Sequence, residues 1–289
     1  MSQFSATSRV LGNNPVGLIG FGAFGRLIAQ HLSPLFSLCV FDPALGHGGD
    51  NEHGVVFADL ARVARGPIVI LATPLDQLEH VAIAIRPHLK PGALVLDVCS
   101  VKAEPARILR KHLPDHVDII GTHPLFGPQS ARNGLRGLKI ALCPIRGECI
   151  LRVSAFLRSA FGLRVCVTTP EDHDREAAIV QGLTHFIARI LVQMEPLPHR
   201  MTTASFEKLM TAVDMVRHDS EAVFLAIEQG NPFSAEMRER FLDMAEMVQA
   251  SLVMHGNRVS TKNENARGFC STRRNACPIS AEVVGEDRS

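Results

Sequence analysis

Hydrophobic positions in the first half of the chain form short apolar runs that alternate with longer amphipathic stretches. From about Pro15 to Thr169 the apolar runs are VGLIG, SLCVF, IVILA, ALVLDV, VDIIG, LKIALC and RVCVT. Runs of this length are typical of buried strands, and most are separated by a helix-length segment. The pattern therefore predicts a mainly parallel β-sheet with helices on both faces.

The pattern changes after Pro170, where the strand-like runs end. Three long helical segments follow, at about 171–195, 203–229 and 232–255. Asn231 and Pro232 favour the start of the third, because Asn can cap free amides and Pro tolerates the first helical position. The segment from about Gly256 is polar and lacks periodicity, which indicates a disordered or loosely attached tail. The predicted domains are therefore 15–169 (sheet), 170–255 (helical) and 256–289 (tail).

Composition narrows the class of protein. A chain of 289 residues with 46% apolar and 20% charged residues is long enough for two domains with real cores. A net charge of +1 without a basic stripe argues against a nucleic-acid partner. We find neither a membrane-spanning run nor a signal peptide, so we expect no membrane partner and a cytoplasmic location. The seven cysteines form no C-x-x-C pair, which favours reduced, packed thiols.

A glycine-rich turn follows the first predicted strand. The run VGLIGFGAFGRLIAQHL places a strand, then Gly20-x-Gly22-x-x-Gly25, then a helix. Gly20 permits the tight turn, Gly22 lets the backbone approach a pyrophosphate, and Gly25 lets the helix pack closely on the strand. The helix N-terminus offers free N–H groups to the anion. The whole loop, a predicted dinucleotide site, comprises Gly20, Phe21, Gly22, Ala23, Phe24 and Gly25.

Other strand ends add to this predicted cofactor site. Asp42 ends the second strand, 22 residues after Gly20. Its carboxylate can accept both ribose hydroxyls and would repel a 2′-phosphate, so NAD is favoured over NADP; the alternative for Asp42 is a turn residue before Pro43. Thr73 and Pro74 end the third predicted strand and are expected beside the cofactor, although a plain strand-ending turn would look the same. Together these features predict an α/β fold, a Rossmann-like doubly wound sheet followed by an all-helical dimerisation domain.

Two further strand ends carry candidate chemistry. Ser100 follows ALVLDV, and His123 follows VDIIG in GTHPLFGP. In open α/β sheets the ligand crevice lies outside the carboxyl ends of the strands, so both side chains are expected where a substrate meets the cofactor. Taken alone, a histidine before a proline is more often a structural hydrogen-bonding group than a catalyst.

Several motifs resemble the prephenate and arogenate dehydrogenases of tyrosine biosynthesis. They are GLIGFGAFG, DVCSVK, GTHPLFGPQS and EDHDREAAIVQGLTHFIARIL, in order between about 15 and 250. The resemblance implies that the C4 hydroxyl of a cyclohexadienol is oxidised by hydride transfer to NAD while the C1 carboxylate leaves as carbon dioxide. It also implies roles: neutral His123 accepts the hydroxyl proton, and Ser100 makes a second hydrogen bond to the same hydroxyl.

The helix 171–195 has a polar arc. At 100° per residue Asp174, Ala178, Gln181, His185 and Arg189 share one side, which by itself describes an ordinary surface helix. The resemblance instead places Gln181 and His185 at substrate-facing positions, and His173-Asp174 at the motif opening the helix. A metal site in Glu171–Asp174 is disfavoured because no second ligand pair accompanies it, and we predict no metal.

The sequence offers several candidates for the residues that bind the substrate. The family's bacterial members usually hold the substrate carboxylate with an arginine, and the candidates here are Arg189, Arg200 and Arg217, each of which could equally be a surface charge. Gln129 and Asn133, in the loop after His123, are neutral where many relatives carry a carboxylate. Prephenate carries a side-chain ketone that an amide can hydrogen-bond, whereas arogenate carries an ammonium that an acid would pair with, so prephenate is favoured.

Alternative functions remain. The chain could be an arogenate or dual cyclohexadienyl dehydrogenase, a β-hydroxyacid dehydrogenase or imine reductase, or a non-catalytic NAD-binding protein. The apolar, Met-rich faces of the last two helical segments predict a homodimer, with packing inside the domain as the alternative.

Overall fold

The protein folds around one eight-stranded sheet. The computed structural model describes residues 15–45 and 54–270, with side chains described as far as Met254. The strands are β1 (Val16–Ile19), β2 (Leu38–Phe41), β3 (Val56–Phe57), β4 (Ile68–Leu71), β5 (Leu94–Asp97), β6 (Asp118–Pro124), β7 (Lys139–Arg146) and β8 (Arg164–Val167). Their order is β3-β2-β1-β4-β5-β6-β7-β8, and every pair is parallel except β6 and β7. The predicted mainly parallel α/β sheet is confirmed; the two-residue β3 was not predicted.

The helices fall into two groups along the chain. Those between the strands are α1 (Ala23–Leu32), α2 (Leu60–Ala64), α3 (Leu75–Ile85), α4 (Ala103–His112) and α5 (Ile150–Phe161). Those after the last strand are α6 (Pro170–Ala177), α7 (Leu183–Gln193), α8 (Ala204–Val216), α9 (Glu221–Glu228) and α10 (Ser234–Cys270). A 3₁₀ turn, Arg86–His88, follows α3, and a π-helical turn, Ala178–Gly182, joins α6 to α7.

The core lies on both faces of the sheet. Consecutive strand residues point to opposite faces, so Leu18 packs in one cluster with Ala29 of α1, and Ile19 packs in another with Leu78 of α3. All four side chains are at most 1% exposed. Burial on both faces explains why the strands read as continuous apolar runs rather than as an alternating pattern.

The helical segments differ from their predicted bounds. The segment predicted at 203–229 forms two helices, because Ser220 begins a new helix by accepting a hydrogen bond from Val223 N at 3.3 Å. The last helix runs past residue 255 to Cys270, through a stretch that contains no proline to end it. Residues 271–289 of the predicted tail lie outside the described residues.

The chain divides into two compact units, Met1–Arg238 and Glu239–Ser289. Helices α6 to α9 therefore belong to the same compact unit as the sheet, and the predicted domain boundary at 169/170 stays a prediction. Five cysteines are free thiols, Cys39, Cys99, Cys143, Cys149 and Cys166; the side chains of Cys270 and Cys277 lie outside the described part. Within 15–45 and 54–270, no helix is both long enough and apolar enough to cross a membrane.

Candidate active site

The glycine-rich loop lies between β1 and α1, where its geometry requires glycine. Gly20 has φ of +97°, and a Cβ added to it would lie 2.3 Å from Ala72 O. A Cβ on Gly25 would lie 2.2 Å from Gly20 O, so any side chain there would push α1 away from the loop. A Cβ on Gly22 would meet nothing within 4 Å. Gly22 thus leaves an open approach to the N–H groups at the start of α1, as an anion site requires.

Asp42 is bonded directly to this loop. Phe21 N donates to its Oδ2 at 2.7 Å, and Ala44 N donates to its Oδ1 at 2.9 Å. A carboxylate has about four lone-pair sites, so both oxygens can still accept hydroxyl groups. The structure therefore places an acid at the end of β2, beside the loop, as a ribose-binding role requires. On the other side of the loop, the rings of Phe24 and Phe126 lie 6.4 Å apart, so the segment after His123 packs next to the loop.

Thr73 lies across from Gly20 at the end of β4. A Cβ on Gly20 would be 3.3 Å from Thr73 N, and Pro74 directly precedes α3. In the described part of the chain, Thr73 Oγ1 is buried and has no hydrogen-bond partner, and such a group is one that a ligand can satisfy. Strands β1 and β4 lie side by side at the point where the strand order reverses, the usual ligand crevice of such sheets. The residues at this crevice fit a dinucleotide.

His123 lies near the end of β6, two residues beyond Gly121, which pairs with Asp97 at the end of β5. Its side chain is buried, and its Nδ1 lies 2.8 Å from His173 Nε2, with the two rings edge to face. Burial, and then electrostatic interactions with His173, Lys102 and His185, hold the pKa of His123 well below its usual range. The neutral imidazole is the form that can accept a proton.

His173 is held in turn by Asp174. His173 Nδ1 lies 2.8 Å from Asp174 Oδ1, and the Asp174 side chain is fully buried. Asp174 also accepts from Lys102 N at 2.7 Å and from Ala103 N at 2.8 Å, so it caps the N-terminus of α4. The sequence indicated only that His173-Asp174 is a motif opening a helix. It could not predict the cap, because the helix that Asp174 caps is about 70 residues away in the chain.

Lys102 is the site residue that the sequence did not identify. Its ammonium group donates to the Asp97 carboxylate and, at 2.7 Å, to Thr122 O, the carbonyl just before His123. Both charged side chains are fully buried. A Cβ on Gly121 would lie 3.1 Å from Lys102 Cδ, so the glycine leaves room for the lysine stem. The only signal in the sequence was a lysine at the end of the motif DVCSVK.

Ser100 lies in the short segment between β5 and α4. Its side chain is half-buried, and two residues later Lys102 N is bonded to Asp174. The segment that carries Ser100 is therefore tied to the same carboxylate that holds His173, which brings both proposed catalytic residues to the carboxyl ends of β5 and β6.

The polar arc predicted on helix 171–195 is turned inward. Asp174, Ala178 and His185 are buried, whereas the apolar Ile179 and Val180 are 49% and 69% exposed. The π-helical turn at Ala178–Gly182 changes the phase of the helix, so a wheel drawn at 100° per residue does not hold across it. The reading of this face as an ordinary solvated surface is wrong for these residues.

Two of the candidate arginines and His185 line one cavity of about 150 Å³, together with Asp219, Glu221 and Phe224. His185 Nε2 lies 3.1 Å from Asp219 Oδ2 and its Nδ1 lies 3.0 Å from Gln181 O. Gln181 Oε1 is buried and unpaired within the described residues.

The arginines of this cavity are already paired with acids. Arg189 donates to Glu221 at 2.7 Å and stacks over Phe224 at 4.2 Å, and Arg217 donates to Glu195 and Asp214. Arg200 is exposed and does not line the cavity. A substrate carboxylate at Arg189 or Arg217 would therefore compete with a protein carboxylate.

Gln129 and Asn133 lie on the exposed loop between β6 and β7. The loop is anchored by the buried Ala131, whose N donates to Gly127 O at 3.0 Å. The structure brings neither amide into the cavity lined by His185.

Comparisons with known proteins identify the family of the chain. Residues 49–178 match the family model "Prephenate dehydrogenase, nucleotide-binding domain". The chain is 28% identical over 274 residues to a "probable arogenate/prephenate dehydrogenase" of Methanocaldococcus jannaschii, covering 89% of this chain and 58% of that protein. It is 30% identical over 247 residues to chloroplastic arogenate dehydrogenase 2 of Arabidopsis thaliana, covering 80% of this chain and 67% of that protein. The chain thus spans between half and two thirds of these relatives.

The fold is also that of a solved enzyme. Prephenate dehydrogenase from Aquifex aeolicus, crystallised with hydroxyphenyl propionate and NAD⁺, superposes with a TM-score of 0.61 at 21% identity. The match covers 86% of this chain and 96% of that one. At this identity the likeness extends to the architecture alone.

Proposed function

The chain belongs to the prephenate and arogenate dehydrogenase family, and on that premise we propose that it catalyses the nicotinamide-dependent oxidative decarboxylation of a cyclohexadienol acid. The observation that carries the proposal is the buried His123, which lies at the carboxyl end of β6 with one ring nitrogen bonded to His173. A buried, neutral imidazole at the carboxyl ends of the strands, the side of the sheet that also carries the glycine-rich loop, is suited to accept a proton from an alcohol.

Each proposed residue has a distinct task. His123 accepts the proton of the C4 hydroxyl through its second nitrogen, Nε2, and Ser100 holds the same hydroxyl by a hydrogen bond. When bound, the nicotinamide supplies the acceptor for the C4 hydride. Loss of the C1 carboxylate needs no further acid from the protein, because the ring becomes aromatic as carbon dioxide leaves.

NAD is the proposed cofactor. Gly20, Gly22 and Gly25 would let the pyrophosphate reach the start of α1, and Thr73 offers its unpaired hydroxyl to the bound cofactor. The carboxylate of Asp42 favours a free ribose over a 2′-phosphate by charge repulsion. NADP is the less favoured alternative.

Prephenate is the proposed substrate, because the loop after His123 presents the neutral Gln129 and Asn133. Arogenate is the second candidate, favoured by a specific observation: Asp219 and Glu221 line the cavity beside His185 and could pair with a side-chain ammonium. We infer that Gln181, His185 and either Arg189 or Arg217 contact the substrate; Arg200 is the weaker candidate, because it lies outside this cavity.

The experiment that tests the function is a set of initial rates with prephenate and arogenate, each crossed with NAD and NADP. We expect the highest kcat/KM with prephenate and NAD. Turnover of a 3-hydroxy acid or an imine, with none of either cyclohexadienol, would reassign the chain to another two-domain dehydrogenase class. NAD binding without turnover of any of these would indicate a non-catalytic protein.

We also propose a homodimer. Among the described side chains of α10, the exposed large apolar ones are Leu242, Met244, Met247, Val248, Leu252, Val253 and Met254. This many exposed large apolar side chains along one helix are typical of an interface. Light scattering should then give twice the chain mass of 31.5 kDa.

A further inference from the structure

Three buried side chains form a continuous hydrogen-bonded chain that starts at the N-terminus of α4 and ends at His123. Asp174 accepts from Lys102 N and Ala103 N, at 2.7 and 2.8 Å. Its Oδ1 is 2.8 Å from His173 Nδ1, and His173 Nε2 is 2.8 Å from His123 Nδ1. Asp174 is fully buried, and both imidazoles are at most 6% exposed.

The direction of these hydrogen bonds follows from the first of them. Both oxygens of Asp174 face backbone N–H donors, so this carboxylate acts as an acceptor towards His173. His173 then carries its proton on Nδ1, and its Nε2 presents a lone pair. The partner of that lone pair, His123 Nδ1, must be the protonated nitrogen, which leaves the lone pair of His123 on Nε2.

We propose that His173 and Asp174 are positioning residues that hold His123 in the tautomer protonated at Nδ1, with Nε2 free to accept the substrate proton. The inference rests on the proposed function, in which His123 is the base. The hydrogen bond between His123 Nδ1 and His173 Nε2 also fixes the plane of the His123 ring, so it sets the orientation of the base as well as its tautomer.

The arrangement also accommodates the charge of the reaction. When Nε2 of His123 takes a proton from the hydroxyl, the Nδ1 proton faces the lone pair of His173 Nε2 at 2.8 Å. The positive charge can be shared with His173, where it lies next to the Asp174 carboxylate. The other charged or titratable groups that act on His123 are Lys102 and His185, and Lys102 is already paired with Asp97.

The test compares two substitutions of His173 with a control. His173→Leu removes both hydrogen bonds at similar volume, whereas His173→Gln keeps an oxygen that can accept from His123 Nδ1. His112→Leu removes another histidine–carboxylate pair, His112 Nε2 to Glu79 Oε1 at 2.6 Å, at the C-terminal end of α4. Asp174 is left intact, because it also caps α4.

The first readout is the tautomer itself. Nitrogen-15 NMR of the full chain labelled at histidine, with His123 assigned from the loss of its signal in His123→Asn, needs no substrate. We expect Nδ1 to be protonated in the wild type and in His173→Gln, and a mixture of tautomers in His173→Leu. A wild-type signal with the proton on Nε2, or the same tautomer in all variants, would overturn the proposal.

The second readout is kinetic. We expect His173→Leu to lower kcat about 10- to 100-fold with little change in KM, as removal of an orienting partner typically does, with substantial recovery in His173→Gln and none of this loss in His112→Leu. An equal loss of kcat in His173→Leu and His173→Gln would refute the positioning role. Thermal unfolding close to that of the wild type, measured for both variants, excludes a folding defect as the cause. Should the wild type turn over no cyclohexadienol, the proposed function fails while the NMR result still decides the tautomer.

Discussion

Lys102 donates a hydrogen bond to the carboxylate of Asp97, and neither side chain has any exposed surface. Substituting Lys102→Met would leave Asp97 buried without its counter-charge, which typically costs about 3–5 kcal/mol of unfolding free energy. Urea unfolding of the variant measures this loss.

The matched control is Lys111→Met. Lys111 pairs with Glu79 at 3.3 Å, with the two side chains 59% and 46% exposed, and an exposed pair of this kind contributes only about 0–1 kcal/mol. If the two variants unfold at the same urea concentration, the buried pair contributes no more to stability than the exposed one.

His123→Asn should abolish most of the turnover while NAD still binds. Asparagine has no group that can accept the hydroxyl proton, so we expect kcat to fall by about 10²- to 10⁴-fold with KM close to normal. Steady-state rates and calorimetric titration with NAD provide the two measurements. An unchanged kcat would mean that the histidine is structural.

The pH profile should reflect the environment of His123. Burial, and then electrostatic interactions with neighbouring groups, hold its pKa well below the ordinary value of 6.5. Because the neutral imidazole is the active form, kcat/KM should stay level as the pH falls through 6.5 and decline only below it. An acidic limb centred at or above 6.5, and absent from His123→Asn, would contradict the burial effect.

The same lowered pKa affects stability in a defined direction. Below pH 6.5 the unfolded chain binds a proton at this histidine and the folded chain does not. The free energy of unfolding should therefore decrease as the pH falls through this window, and part of that decrease should vanish in His123→Asn.

Asp42→Asn should improve the use of NADP relative to NAD. The substitution keeps an oxygen that can accept from Phe21 N but removes the charge that repels a 2′-phosphate. The ratio of kcat/KM for the two cofactors is the measurement, with Asp76→Asn at the exposed start of α3 as the control. A wild type that already prefers NADP would refute the ribose assignment.

Asn133→Asp tests the substrate preference. The added carboxylate should favour arogenate over prephenate, because only arogenate carries a side-chain ammonium. Since Asn133 is exposed, the effect requires that the loop approaches the bound substrate. If the ratio of the rates with arogenate and prephenate does not change, the loop does not select the substrate. Asp219 and Glu221 are then the residues to substitute next.

What the sequence by itself determined was the local structure and the family. Periodicity and glycine spacing were sufficient to predict the buried strands, the turn at Gly20 and the helix that follows it, because each depends on residues that are close together in the sequence. The HPLFGP and HD motifs were sufficient to indicate the family. The π-helical turn after α6 was not predictable in this way, because a helix wheel assumes a regular rise and turn.

Only the tertiary structure decided how the candidate residues act together. His123 and His173 are 50 positions apart, and Asp174 reaches Lys102 N from 72 positions away. Such contacts depend on how α6 packs against α4 and β6, and no local pattern encodes that packing. The burial of Lys102 likewise follows from the space that Gly121 leaves on the neighbouring strand, since a lysine is normally solvated unless its charge finds a partner in the folded chain.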